Sequence, residues 1–398
     1  MSIIITPGDE LGRRMHKFTN ELDKAYDNWE LCAIAGAVNL FYLTGTVCDG
    51  VLILRRGRDY TLWVRRNYDR SILESAIADI RPMHSYREVA ASLGALPDTV
   101  YLDTAYVTLE WSGLFRKHLP FKNILPVNDA MFKARAVKTE YELERMRRSG
   151  ASMARLLTQE LPGLMYEGIS EAELGAELLA LTIKNGHQGN NRFHMRNASD
   201  LLGHIAFGKS SLFPGVFNGA SGITGICPAM PVLGSHARKL CAGDIVFIDA
   251  CFATEGYHID KTLIYCFRGN PPEYIKAAHD HCLELMRKGA SLLKPGARPS
   301  DIYNEVLADV RPEFSHHFMG IPGRAVPFLG HSIGLYVDEP PVIALGFDEP
   351  IEAGMTFAIE PKMGFEGIGM VGGENTYLVT ENGGVSLTGE PLPIIMVD

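Results

Sequence analysis

The stretch Asp244-Ile-Val-Phe-Ile-Asp-Ala-Cys-Phe-Ala-Thr-Glu-Gly-Tyr-His-Ile-Asp-Lys-Thr-Leu-Ile-Tyr265 reads as two apolar strands around Thr254-Glu-Gly-Tyr257. A two-residue turn at Glu255-Gly256 sets Thr254 opposite Tyr257, so Asp260 faces Cys251. Asp249 lies two residues before Cys251 and shares its face, because side chains alternate along a strand. The two aspartates are then diagonal cross-strand neighbours, about 7–8 Å apart at the backbone. Carboxylates on the buried face of an apolar hairpin are costly unless they are paired or bind a metal.

Three more acceptors sit in otherwise apolar segments further on. His331 lies in Phe328-Leu-Gly-His-Ser-Ile-Gly-Leu335, Glu360 ends Met355-Thr-Phe-Ala-Ile-Glu360, and Glu374 opens Glu374-Asn-Thr-Tyr-Leu-Val-Thr380. Four carboxylates carry four negative charges, which two divalent cations would cancel. Oxygen-rich ligation with one imidazole suits Mn, Co, Zn or Fe. Cys251 shares the face of Asp249, although a packed core thiol is its ordinary role.

Working outward, 398 residues predict two domains. In residues 1–134, Asn39–Thr46, Gly50–Leu54, Tyr60–Val64 and Val100–Asp103 read as strands, with Asp69–Ile80 and Ser85–Leu93 as helices. This is an α/β arrangement. In residues 135–398, Thr139 with Glu142 and Ser170 with Glu173 are capping boxes that open two helices. A second helix pair is expected at about 272–292 and 300–310. Helices followed by strands, twice over, suggest a duplicated α+β domain.

A formal charge of −9, with no basic face in view, disfavours nucleic acid or an anionic membrane as partner. No apolar run is long enough to span a bilayer, and Met1–Glu10 lacks the features of an export leader. Seven scattered cysteines without a C-x-x-C pair suit a reduced, cytoplasmic protein.

Taken in order, these segments resemble the creatinase, prolidase, aminopeptidase P and methionine aminopeptidase family. Asn39-Leu-Phe-Tyr-Leu-Thr-Gly45 resembles the creatinase-type N-terminal domain, and Arg135-Ala-Val-Lys-Thr-Glu140 the entry to a pita-bread catalytic domain. The aspartate spacing, Gly330-His-Ser-Ile-Gly334, Ile359-Glu-Pro361 and Gly373-Glu-Asn-Thr376 resemble its ligand segments. The resemblance implies two divalent ions bridged by Asp260 and Glu374, with Asp249 on one ion and His331 and Glu360 on the other. It implies a metal-bridging water attacking an amide carbonyl, with Glu360 moving the proton, in Xaa-Pro dipeptidase or aminopeptidase chemistry. It also implies a homodimer, whose N-terminal domain would limit substrates to small ones; Tyr42, Trp63, Tyr68 and Trp111 are candidate contacts, or core residues.

The chain departs from the family where histidines are usual. Ala229, Pro327 and Asp338 stand at three such positions, and Gly372 stands where an arginine is common. His194, His204, His236, His258, His316 and His317 are available as substitutes. Asp338 is a candidate base, or an anchor for a cationic substrate group. The departures keep open a second reading, in which the same scaffold acts on a small non-peptide metabolite as a hydrolase or lyase.

Overall fold

The computed structural model describes residues 3–195 and 198–398; Met1 and Ser2, the first residues of the Met1–Glu10 stretch read above, lie outside them. The chain divides into two compact units, Met1–Arg135 and Ala136–Asp398.

The first unit is a six-stranded mixed sheet in the order Ile80–Pro82, Thr61–Arg66, Asp49–Arg55, Leu31–Ile34, Thr99–Leu102, Asn123–Pro126. Its core packs Val51, Ile53 and Trp63 against Val89 and Phe115. The amphipathic helix Gly8–Ala25, not foreseen from the sequence, buries Leu11, Phe18 and Leu22. Two expectations are corrected. The Asn39–Thr46 segment is not a strand: Ala37–Thr44 is a helix, closed by Gly45 at φ 77°. An apolar run this short fits either state. What decides it comes from far along the chain, since buried Asp103 accepts the Ala35 and Gly36 N–H groups (3.0 and 2.8 Å) and the Asn39 amide (3.0 Å). The helix expected over Asp69–Ile80 spans only Tyr68–Glu74, because Ile80–Pro82 joins the sheet edge.

The second unit is built on a large sheet. Its main path runs Glu339–Ala344, Phe328–Ser332, Thr356–Ile359, Glu374–Thr380, Tyr257–Phe267, Ile245–Thr254, Gly203–Phe207. A four-stranded sheet holds Lys362–Phe365 beside Gly369–Gly372. Both capping boxes form as expected, at Thr139 with Glu142 and at Ser170 with Glu173. The helices Glu140–Arg155 and Glu171–Lys184 precede the hairpin strands. Glu273–Leu292 and Pro299–Ala308 precede the second set. Ile275, Cys282 and Met286 of the Glu273–Leu292 helix pack with Phe247, Ile264 and Ile359 of the sheet.

Candidate metal centre

The hairpin has the register its sequence predicts. Thr254 pairs with Tyr257, Cys251 with Asp260 and Asp249 with Thr262, around a turn in which Glu255 and Gly256 both have positive φ. Directly paired residues point to one face, so a single row of side chains runs across three strand boundaries. His204 pairs with Asp249, Asp249 with Thr262, and Thr262 with Glu374. The row extends in register to Glu360, which follows the Thr356–Ile359 strand, and His331 pairs with Ala358 on the same face.

This face therefore gathers all five ligand candidates. His331 Nε2 stands 3.6 Å from Glu360 Oε1 and 4.0 Å from Glu374 Oε1. Ligand atoms of Asp260, His331 and Glu374 all lie within 4.8 Å of one another. Asp260 Oδ1 and Glu374 Oε1 are buried without a hydrogen-bond partner. Buried acceptors of this kind call for a partner, and a cation between the two carboxylates and His331 would be one. His331 Nδ1 lies 3.2 Å from the Ser332 carbonyl. Donating its N–H there leaves the Nε2 lone pair facing the carboxylates, the tautomer a metal ligand requires.

One side chain at the centre escaped the sequence reading. Lys362 is 1% exposed, and its Nζ lies 2.9 Å from Asp249 Oδ2, 2.8 Å from Glu360 Oε2 and 2.7 Å from Glu374 Oε2. A signal was available: Lys362 lies two residues after Glu360, and a lone cation between Glu360-Pro361 and Met363-Gly-Phe365 interrupts an apolar run. Thr262 was missed as well; its Oγ1 is 2.7 Å from Asp249 Oδ1 and 3.1 Å from Glu374 Oε2. Ser221 Oγ donates to Asp249 Oδ2 at 3.3 Å and lies 3.2 Å from His204 Nδ1.

The electrostatics split the acids into two kinds. Burial works against the Asp249 charge, but the Lys362 ammonium holds its pKa down to about 2. Burial, and then the charge of Asp249, push Asp260 up to about 7. Burial, followed by Asp260, drives Glu374 well above the usual carboxylate range.

A cavity of about 450 Å³ opens over this face, bounded by Phe193, Phe217, Phe328 and Val342 among others. His194 and His204 line it, whereas His236, His258, His316 and His317 do not. His258 is fully buried: its Nε2 accepts the Arg192 N–H at 3.1 Å, and its Nδ1 lies 2.9 Å from the Gly334 carbonyl. Ala229 and Pro327 are exposed and outside the lining. Asp338 does line the cavity, with Oδ1 accepting the His194 N–H at 2.5 Å and Oδ2 the Met195 N–H at 3.2 Å. Cys251 lines it too, its thiol pKa raised by burial. In the other unit, Tyr42 and Trp63 are core residues, and Tyr42 Oη donates to the Ala134 carbonyl.

Comparison with known proteins bears on the fold and the family. The model of metallopeptidase family M24 matches residues 144–381, and that of the creatinase/prolidase N-terminal domain matches residues 14–137. The chain is 30% identical over 277 residues to a probable dipeptidase, PepE, of Mycobacterium tuberculosis. That match takes in 69% of this chain and 64% of the relative, so it spans less than two-thirds of the relative's length. An Xaa-Pro dipeptidase of Pyrococcus furiosus is 25% identical over 93% of this chain and 94% of its own. The crystal structure of the prolidase from Pyrococcus horikoshii OT3 shares the fold, with a TM-score of 0.76 at 22% identity over 95% of this chain and 98% of that one.

Proposed function

The chain belongs to metallopeptidase family M24, with a creatinase-type N-terminal domain ahead of a pita-bread domain, and on that premise we propose that it hydrolyses small peptides as a metal-dependent Xaa-Pro dipeptidase or aminopeptidase. The observation that carries the reading is the convergence of Asp260, His331 and Glu374, with two orphaned buried oxygens, on the floor of a dipeptide-sized cavity. A divalent ion there (Mn, Co, Zn or Fe) would supply Lewis acidity toward the amide carbonyl and activate water. Asp260, His331 and Glu374 would hold it; how many ions the set takes turns on Lys362.

The chain's own groups divide the remaining work. Glu360 keeps Oε1 on the His331 side, where it can take a proton from the attacking water and return it to the leaving nitrogen. Burial lowers the His204 pKa, and its imidazole on the cavity wall can accept and pass on a proton during the reaction. This would answer the histidines missing at Ala229, Pro327 and Asp338. The aromatic rim of Phe193, Phe217 and Phe328 excludes water and suits a proline ring.

Homodimer assembly and a cytoplasmic setting belong to the same proposal. The latter is supported by seven free cysteines; no helix among the described residues is long and apolar enough to cross a membrane. A second reading keeps the scaffold but takes a small non-peptide metabolite as substrate. It is favoured by the lysine among the carboxylates and by an Asp338 already bonded to backbone.

The test is hydrolysis of a panel of Xaa-Pro dipeptides and short Xaa-Pro peptides after loading with Mn or Co, with Asp260→Ala as the blank. Metal-dependent cleavage that the blank lacks is the expected result. A metal-holding protein that cleaves none of them would pass the site to the second reading.

A further inference from the structure

We infer that the Lys362 ammonium stands in for one of two cations, so that the centre holds a single metal ion on Asp260, His331 and Glu374. The inference rests on the metal-binding part of the proposed function, and it concerns the count of ions rather than the substrate.

The hydrogen-bond inventory of the carboxylates carries the argument. An ammonium has three donors. Those of Lys362 are all used, on Asp249 Oδ2, Glu360 Oε2 and Glu374 Oε2 at 2.7–2.9 Å. Asp249 is satisfied at both oxygens without any metal, since Thr262 meets Oδ1 while Lys362 and Ser221 meet Oδ2. An ion bound between Asp249 and Glu374 would need their oxygens at about 2.0–2.2 Å. It would have to share that space with Nζ and repel its charge. The orphaned acceptors lie elsewhere: Asp260 Oδ1 and Glu374 Oε1, on residues 6% and 2% exposed, have no partner, and Glu374 Oε1 stands 4.0 Å from His331 Nε2. Asp249 is not part of the group whose ligand atoms converge within 4.8 Å.

The backbone supports a fixed role for this cation. Lys362 pairs directly with Gly372, where the family resemblance puts an arginine. A Cβ on Gly372 would lie 2.3 Å from the Pro361 carbonyl oxygen and 2.7 Å from Lys362 Cα. No side chain fits there, so the cation of this rung comes from Lys362, whose shorter reach and compact charge bring it among the ligands. A lysine that merely replaced that arginine would flank a pair of ions; one that replaces an ion leaves room for one.

Counting metal decides between these. The protein is stripped with chelator, loaded with excess Mn(II), desalted and assayed for metal per chain, and its paramagnetic resonance spectrum is recorded. The expected result is one ion per chain, with the hyperfine pattern of an isolated Mn(II), and a second, spin-coupled ion in Lys362→Met. Two coupled ions in the unaltered protein would overturn the inference without a variant being needed. One ion in both proteins would also overturn it, since Lys362 would not be what excludes the second. No ion at all would overturn it together with the metal reading beneath it. Failure of the dipeptide panel with one ion bound would remove the peptidase proposal and leave this inference standing.

Discussion

Thr262 lies directly across the hairpin from Asp249, and its hydroxyl oxygen reaches both Asp249 Oδ1, at 2.7 Å, and Glu374 Oε2, at 3.1 Å. One side chain therefore ties the satisfied half of the centre to the half with orphaned oxygens. Thr262→Val keeps the volume and the β-branch but removes the hydroxyl. Losing the support of a ligand in this way typically costs about 10–100-fold in metal affinity. A buried acceptor left without its donor costs about 1–3 kcal/mol of stability. Calorimetric metal titration and denaturant unfolding of the variant would show both losses. Wild-type values in both would mean that Thr262 only fills space.

Asp338 was a candidate base, and its geometry suggests a different task. Both carboxylate oxygens accept backbone N–H groups, from His194 and Met195, which together line the cavity. Burial raises its pKa, and those two bonds oppose the rise. Asp338→Asn sets an amide N–H₂ against a backbone N–H and loosens the segment that shapes the rim. A rise in KM with kcat within a few-fold of wild type is expected on the preferred peptide. A fall of about 10²-fold or more in kcat with KM intact would instead put Asp338 among the groups that move protons.

Buried neutral histidines set the acid limit of the second unit. His258 has burial as the main cause of a pKa lowered to about 3, against about 6.5 in an unfolded chain. Between those values the unfolded state binds the proton and the folded state does not. The stability present above pH 6.5 is therefore lost as pH falls toward 3, by up to about 1.4 kcal/mol per pH unit for one group. His187, His204 and His279 are also lowered, chiefly by burial, and act in the same direction. Denaturant midpoints measured across this window should fall with pH, and less steeply in His258→Gln. Parallel slopes for the two proteins would clear His258 of the effect.

What the sequence revealed follows the range of the interactions involved. The hairpin register and both capping boxes were legible because alternation and a Ser/Thr-x-x-Glu spacing act between near neighbours. The five ligand candidates were legible because each is a polar residue in an apolar run, in an order that resembles a known family. The Ala37–Thr44 helix was not, since the Gly36 N–H at its start is held by Asp103, just past the Thr99–Leu102 strand. His204 was one of six equal candidates until the pairing of Gly203–Phe207 with the hairpin put it beside Asp249. Lys362 was overlooked because a lysine beside a Glu-Pro pair reads as a solvated strand end. Only the fold shows three carboxylates closing around its ammonium.

The position of His331 depends on a close approach that only glycine permits. A Cβ on Gly330 would lie 2.0 Å from the Ala358 carbonyl oxygen, in the strand that pairs with Phe328–Ser332. That atom belongs to the backbone of an interior strand, so relief must come from shifting one strand relative to the other. The shift would carry His331 away from Asp260 and Glu374. Gly330→Ala should lose about 1–3 kcal/mol or more, as overpacked sites do, and should bind metal more weakly than wild type. Gly12→Ala is the control: Gly12 lies within the Gly8–Ala25 helix with nothing within 4 Å of the added carbon. It should be neutral or gain up to about 1 kcal/mol from helix propensity. Unfolding curves and metal titrations on the two variants would separate a local steric effect from a general intolerance of added methyl groups. If Gly330→Ala unfolds like wild type and binds metal as tightly, the two strands do not hold His331 at the distance described.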